Sequence, residues 1–419
     1  MKIKLASSNL NQTPLAWNKN INNIKDSISL SIKNNVKILC FPELSITGYG
    51  CQDLFFSKWF IEKSNEKLIE ISKICKSITV IIGHPILHKK KLYNACCIIR
   101  NSKILGFFIK SNLPNDGIHY EKRWFNPWEF GKIEKTKFNN IEYPIGSIQL
   151  EYNDKITLGF EICRDSWDIE RPANYIKTDK HLIIFNPIAS HYAFNKFNFR
   201  KNLTINSSKK FNCTYLSVNL LGNESGKIIF EGDTILAQKG NLIDISERFS
   251  FKDYIINYFN IDLKGNNKKY KETSINNYEE FINAFSVGLL DYLSKSKLKG
   301  FALSLSGGLD SSCVAILIYE MIKRYIDREG SDKLVKRLNL QNIKLTDNKN
   351  KNIKLILNIL LHTAYQKSIN SSSKTQESAK LLSKFIGSNH YEWEIDDEVE
   401  GIISKISSST KKKYSWENA

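Results

Sequence analysis

Apolar runs of strand length recur along the first 240 residues, with few helical stretches between them. They fall near the amino terminus ("KIKLASS") and at 36–44, 78–87, 92–100, 103–110, 155–163, 181–187, 214–221 and 234–238. Helical spacing of apolar positions fits only 17–34, 58–76 and 194–211. Many strands with few helices predict packed sheets with helices outside them rather than a simple βαβ alternation.

After the polar stretch 264–274 ("KGNNKKYKETS") the rhythm changes. A helix at 277–296 leads to the strand "GFALSL" (300–305), a glycine loop and a helix running to about residue 326. A strand "IKLILNILLHTAY" (353–365), a helix at 375–386 and a strand "HYEWEI" (390–395) follow. This alternation predicts a doubly wound parallel sheet, which places ligands at the carboxyl ends of its strands. The lysine- and asparagine-rich interval 329–352 is expected to be a surface insertion. The expected division is therefore a first domain at 1–263, a linker at 264–275 and a second domain at 276–419, all within an α/β class.

Composition narrows the reading. At 419 residues, 42% of them hydrophobic, the chain suffices for two cores. The amino terminus has too short an apolar stretch for a signal peptide, and no run reaches the ~20 apolar residues of a membrane-spanning helix. A soluble, cytoplasmic protein without a membrane partner is expected. The eight cysteines show no paired CxxC spacing, which argues against a zinc site or a disulfide framework. Most are expected to be buried small apolar residues, which leaves room for one nucleophile. The formal charge of +18 comes from lysine mixed with asparagine and isoleucine throughout, with no arginine-rich stripe. That argues for a generally cationic surface, able to attract anionic substrates, and against a nucleic-acid partner.

Three chemically useful residues stand just beyond strand candidates: Glu43 in "CFPELSITGYG", Lys110 in "FFIKSNLP" and Cys163 in "GFEICRDSW". A thiol attacks a carbonyl as thiolate, and a free cysteine is mostly protonated at neutral pH. A neighbouring lysine would favour the thiolate and polarise the oxyanion. A glutamate could take the thiol proton and return it to a leaving amine. Such a set suits amide hydrolysis through a thioester. Residue by residue, each has a blander reading as a space-filling cysteine or a solvated charge.

The three segments together resemble the carbon-nitrogen hydrolase, or nitrilase, superfamily over roughly residues 1–260. The resemblance implies an α-β-β-α sandwich with Glu43 as general base, Lys110 as transition-state stabiliser and Cys163 as nucleophile. It also implies a supporting role for Glu121 in "HYEKRWF", and contact with glutamine for Tyr49, Ser190 and Lys196. His191, in the same loop as Ser190, is expected to form structural hydrogen bonds.

The second motif is "SLSGGLDSS" (304–312), between a strand and a helix. It lacks the lysine of the GxxxxGK[ST] loop. Glycines let the backbone approach oxyanions, serines donate hydrogen bonds, and a helix start adds positive potential. Asp310 would repel phosphate unless a cation such as Mg2+ intervenes. The alternative is a glycine-rich turn with a serine helix cap. SGGxDS resembles the PP-loop of ATP pyrophosphatases, which split ATP to AMP and pyrophosphate on a Rossmann-like sheet. The resemblance implies ATP contacts from Ser304, Leu305, Ser306, Gly307, Gly308, Leu309, Asp310, Ser311 and Ser312, with Ser306 in the catalytic set and Asp310 as metal ligand. Thr363 and Ser372 are candidates to lie near nucleotide or substrate.

The two motifs in this order resemble the glutamine-dependent NAD synthetase family. That resemblance implies that glutamine, ATP and deamido-NAD(+) are substrates, that Mg2+ assists, and that subunits form a homo-oligomer. In the family, "ENLALQN"-like residues lead into further helices, and Glu417, Asn418 and Ala419 resemble the opening of that segment. The expectation is a synthetase domain incomplete at its carboxyl end. The alternative is a stand-alone nitrilase-superfamily amidase with an inactive synthetase remnant.

Overall fold

Strand Lys2–Leu10 shows how the first half of the chain is built, because its alternate side chains enter different cores. Ile3 and Leu5 join one buried cluster, whereas Ala6 and Leu10 join another on the opposite face. Strand Thr79–His88 does the same, with Ile81 on one side and Val80, Ile82 and Ile86 on the other. A strand buried on both faces reads as a continuous apolar run, which is why these segments are conspicuous in the sequence.

The computed structural model describes residues 2–265, 267, 268, 270 and 276–414. Most of the expected linker therefore lies outside the described residues, as do Glu417, Asn418 and Ala419. The chain forms two compact units, 1–292 and 293–419. Helix Asn277–Lys295, expected to open the second domain, belongs to the first unit over most of its length.

In the first unit, an eight-stranded sheet has the order 254–262, 2–10, 38–40, 79–88, 91–100, 103–109, 141–146, 133–138. A six-stranded sheet has the order 241–245, 234–238, 214–219, 181–188, 156–160, 150–153. Their facing sides share one core, including Leu5, Ile38, Ile81 and Ile98 from the first sheet and Phe160, Ile183, Phe185 and Leu216 from the second. Helices Trp17–Lys33 and Lys58–Ser72 cover the outer face of the larger sheet through Ile21, Ile24, Ile28, Leu68 and Ile71. Helix Lys196–Lys210 packs on strands Thr214–Asn219 and Thr234–Gln238 of the other sheet. The layers are helix, sheet, sheet, helix, as expected.

The second unit has a parallel sheet of strands Phe301–Ser304, Leu361–Lys367 and Asn389–Glu394. Helices Leu309–Glu329, Ser331–Arg337, Lys349–Leu360, Ser373–Ile386 and Asp396–Thr410 lie between or after these strands. One expectation fails here. The run 353–365 is a strand only from Leu361, because residues up to Leu360 are helical. Asn348 caps that helix by accepting the Lys351 N–H at 3.0 Å, and Asn352, Ile353, Ile356, Leu357 and Leu360 form its buried stripe. Spacings of three and four residues, rather than β-branching, decide the outcome. The interval 329–352 is mostly exposed, but its helix Ser331–Arg337 seats a buried Leu334.

Candidate active site

Glu43, Lys110 and Cys163 each follow the carboxyl end of a strand: Ile38–Cys40, Lys103–Ile109 and Ile156–Phe160. The first two strands belong to one sheet and the third to its partner. Gly83 lets the turn carrying Glu43 sit tightly on the sheet, since a Cβ there would lie 2.1 Å from the Leu44 nitrogen and 2.6 Å from the Pro42 oxygen. The Cys163 turn is tied to the Lys110 strand end by Asp165. Its Oδ1 accepts from the Ser111 and Asn112 amides at 3.0 and 2.7 Å, and its Oδ2 accepts from the Ile162 amide at 2.9 Å. Cys163 itself has φ of +46°, a conformation unfavourable for a residue with a Cβ, and its N–H donates to Asn186 Oδ1 at 2.8 Å.

Lys110 is fully buried and donates from Nζ to Glu43 Oε1 at 2.6 Å and to both oxygens of Glu121 at 2.8 and 2.9 Å. Asn94 adds a bond to Glu43 Oε1 at 2.7 Å. The Tyr49 hydroxyl donates to Glu121 Oε1 at 2.7 Å. Glu43 Oε2 is buried without a hydrogen-bond partner among the described residues, and so can still accept a proton. Burial raises the Glu43 carboxyl to about 7, with Lys110 opposing and Glu121 reinforcing the shift. Burial would lower Lys110, but Glu121 and Glu43 outweigh it and hold the ammonium above the ordinary lysine range.

Lys110 favours the Cys163 thiolate, in the direction expected from the sequence, but burial opposes it more strongly. Burial, with Glu43 and Glu121 adding to it and Lys110 opposing, pushes Cys163 up to about 12. Burial, reinforced by the two carboxylates, outweighs the pull of the Lys110 ammonium toward the thiolate. Glu43, with a raised titration and an open oxygen, is placed to exchange a proton at this site.

A cavity of about 300 Å³ opens beside the thiol, lined among others by Tyr49, Cys163, Arg164, Trp167, Ser190 and Lys196. Its size suits a small amide. The Ser190 hydroxyl accepts from Arg200 at 3.3 Å. A polar chain missed in the sequence crosses this cavity. Lys196 Nζ lies 3.0 Å from His191 Nε2, His191 Nδ1 lies 2.8 Å from His119 Nε2, and His119 Nδ1 lies 3.0 Å from the Tyr49 hydroxyl. Burial first, then neighbouring cations, lowers His119 to about 3 and His191 to about 4. Burial also lowers Lys196 to about 8. With both imidazoles neutral, each link has one donor and one acceptor. His191 forms hydrogen bonds, as expected. Asn94 offered a signal as the one polar side chain inside "LYNACCII", whereas His119 offered none beyond its place two residues before Glu121.

In the second unit the loop after strand Phe301–Ser304 leads into helix Leu309–Glu329. Gly307 has φ of +74°, and a Cβ there would lie 2.1 Å from the Thr375 carbonyl oxygen. The loop thus rests against the start of helix Ser373–Ile386, which Ser372 caps by accepting the Thr375 N–H at 3.2 Å. Ser306 and Ser311 hydroxyls are 3.1 Å apart, and Ser306 Oγ accepts the Gly308 N–H at 3.3 Å. Ser306, Gly308, Leu309 and Asp310 are exposed, whereas Leu305 is buried with its N–H on the Ala364 carbonyl at 2.8 Å. Ser304 donates to Gln366 Oε1 at 2.9 Å. Thr363 is buried and bonded to His390 and Ser388, so its hydroxyl is already engaged. Among the described residues no group of three His, Cys, Asp or Glu side chains could enclose a metal. Asp310, exposed at the helix start, is the one carboxylate of the 304–312 loop.

The Carbon-nitrogen hydrolase family matches residues 4–243, and the NAD synthase family matches residues 281–418. The crystal structure of a glutamine-dependent NAD(+) synthetase from Cytophaga hutchinsonii is similar over the whole chain and 69% of its own, with TM-score 0.89 and 37% identity. The chain belongs to the glutamine-dependent NAD(+) synthetase family. Curated family members from Mus musculus and Saccharomyces cerevisiae are 28% and 26% identical over 98% of the chain. The chain spans 64% and 65% of their lengths, slightly less than two thirds. A family structure from Acinetobacter baumannii, in complex with adenosine diphosphate, shares the fold with TM-score 0.73 at 19% identity, covering 99% of this chain and 69% of that one. Among the described residues no helix is long and apolar enough to cross a membrane.

Proposed function

We propose that this chain carries the glutamine-hydrolysing and nucleotide-activating parts of an NAD(+) synthase. The reaction would amidate deamido-NAD(+) at the cost of ATP and glutamine, giving NAD(+), AMP, pyrophosphate and glutamate. The observation that supports it most is the buried Glu43–Lys110–Glu121 cluster beside the Cys163 cavity, in a chain that also carries the SGGLDSS loop.

Chemically, Glu43 takes the Cys163 proton as sulfur attacks the glutamine side-chain amide. Lys110 offsets the developing oxyanion. Glu43 returns the proton to the leaving nitrogen, ammonia departs, and a glutamyl thioester remains. Water, deprotonated by Glu43, then releases glutamate and the thiol. Tyr49, Ser190 and Lys196 bind the substrate, with Lys196 suited to its carboxylate. At the second loop, backbone N–H groups and the hydroxyls of Ser306, Ser311 and Ser312 hold ATP phosphates, with Asp310 toward the metal. Bound Mg2+ would neutralise pyrophosphate as it leaves. Attack of the nicotinate carboxylate on the α-phosphate gives an acyl-adenylate, from which ammonia displaces AMP. Cytoplasmic location and assembly into a homo-oligomer accompany this reading.

The test compares Cys163→Ala with the parent. Glutamate release from glutamine should vanish, while ATP-dependent NAD(+) formation from deamido-NAD(+) and ammonium should persist. Glutamate release without any ATP-dependent amidation would instead favour a stand-alone amidase. Undiminished glutamate release in Cys163→Ala would refute the assignment.

A further inference from the structure

We propose that Glu224 is a positioning residue for the amide-hydrolysing site and that Asp291 anchors it. The proposal deepens the amidase reading and rests on it for its substrate. Tyr49, which donates to Glu121, is itself held by backbone bonds. Its amide donates to Glu224 Oε1 at 2.8 Å, and the next amide, of Gly50, donates to Glu224 Oε2 at 2.6 Å. One carboxylate thus clamps both peptide units that fix the direction of the Tyr49 ring. The approach requires glycine on either side of the tyrosine. A Cβ on Gly48 would lie 2.8 Å from Glu224 Oε1, and one on Gly50 would lie 2.9 Å from Oε2.

Glu224 stands directly after the short strand Leu221–Asn223, whose backbone is pinned from outside. Asp291 Oδ2, on helix Asn277–Lys295, accepts the Asn223 N–H at 2.9 Å and Asn11 Nδ2 at 2.8 Å. Here too glycine makes room, since a Cβ on Gly222 would lie 2.3 Å from that oxygen. Asp291 is 1% exposed and Glu224 9%. Two buried carboxylates in series therefore connect a helix some 240 residues away in sequence to the hydroxyl that supports Glu121.

Releasing the clamp should deprive Glu121 of the Tyr49 donor. Glu121 then draws more on Lys110, and Glu43 receives less of that ammonium. Less compensation keeps Glu43 protonated to a higher pH. Among the described residues, the titratable and charged groups around Tyr49, Glu121 and Glu224 include Glu43, Cys51, Lys110, His119 and Cys163.

The experiment uses the full chain with Glu224→Gln, Asp291→Asn, the double variant and Tyr49→Phe. Each amide keeps its size but accepts through one atom only. Glutamine hydrolysis by Glu224→Gln should lose kcat about tenfold with KM changed less, and its acid limb should move to higher pH. Asp291→Asn should lose less, and the double variant should match Glu224→Gln because the two act in series. Tyr49→Phe leaves the clamp intact and should reproduce the kcat loss and the limb shift, which keeps the test decisive if Glu224→Gln does not fold. Multiplicative effects in the double variant, or a normal pH limb in Tyr49→Phe, would overturn the proposal. Iodoacetamide labelling of Cys163, followed by mass of its peptide, reads the same limb without substrate. A parent that labels with the expected limb but leaves glutamine intact would fail the amidase reading while the positioning argument stood.

Discussion

Replacing Glu43 by glutamine tests the base proposed for amide hydrolysis. A thiol with a pKa near 12 leaves about one molecule in ten thousand ionised at pH 8, so a standing thiolate is negligible. The rate should therefore follow the fraction of Glu43 able to accept the proton. Because that carboxyl titrates at about 7 rather than 4.5, kcat/KM for glutamine should fall as pH drops through 7. At pH 5.5 about 3% of the plateau should remain, against about 90% for a carboxyl at its ordinary value. Glu43→Gln should lose about 10² to 10⁴ in kcat/KM and show no limb near 7. Glutamate release measured from pH 5 to 9 on both proteins decides the matter. A parent limb near 4.5, or a variant within tenfold of the parent, would refute the reasoning. Folding has the opposite sign. A carboxyl raised in the folded state contributes stability that is present below its unfolded value and lost as pH rises through about 7. The site is best poised for catalysis where Glu43 contributes least to folding.

Three further outcomes follow from particular contacts. Arg171→Met should destabilise the first unit by about 3–5 kcal/mol in urea unfolding, because Glu161 is fully buried and bonded to the Arg171 guanidinium. A loss under about 1 kcal/mol would mean that the Tyr215 hydroxyl and Ala173 amide, both bonded to Glu161, suffice for it. Gly83→Ala should abolish glutamate release in protein that remains folded by circular dichroism, since the new methyl displaces the Pro42–Leu44 backbone carrying Glu43. Gly307→Ala should weaken Mg2+–ATP binding in calorimetry at least tenfold while leaving glutamate release unchanged, because its methyl meets the Thr375 carbonyl; equal ATP affinity would show that the loop does not hold the nucleotide.

What could be read from sequence follows the range of the interactions. Glu43, Lys110 and Cys163 stood out because each ends an apolar strand, and the doubly buried strands announced themselves as apolar runs. Edge strands were less visible. Ile133–Phe138 is half charged, and Tyr254–Asp262 belongs to the fold through antiparallel pairing with Lys2–Leu10 at the opposite end of the unit. The helix within 349–360 was hidden because buried isoleucine and leucine suit both kinds of element until an asparagine cap decides between them. Glu224, Asp291 and His119 had no local signal, since their partners lie up to 280 residues away. The raised titration of Cys163 was invisible for another reason. It depends first on burial and then on the balance of Glu43 and Glu121 against Lys110, none of which spacing records.

The way the chain closes its first unit bears on how such enzymes can be taken apart or recombined. The match to the carbon-nitrogen hydrolase family ends at residue 243, but the material that completes the first unit does not. Strand Tyr254–Asp262 covers the edge at Lys2–Leu10, and Asp291 lies another thirty residues on. A gene cut at the border of homology would leave an open sheet edge and an unanchored Tyr49 loop. The natural seam for exchanging the first unit lies after Tyr292, inside a helix that matches the NAD synthase family from residue 281.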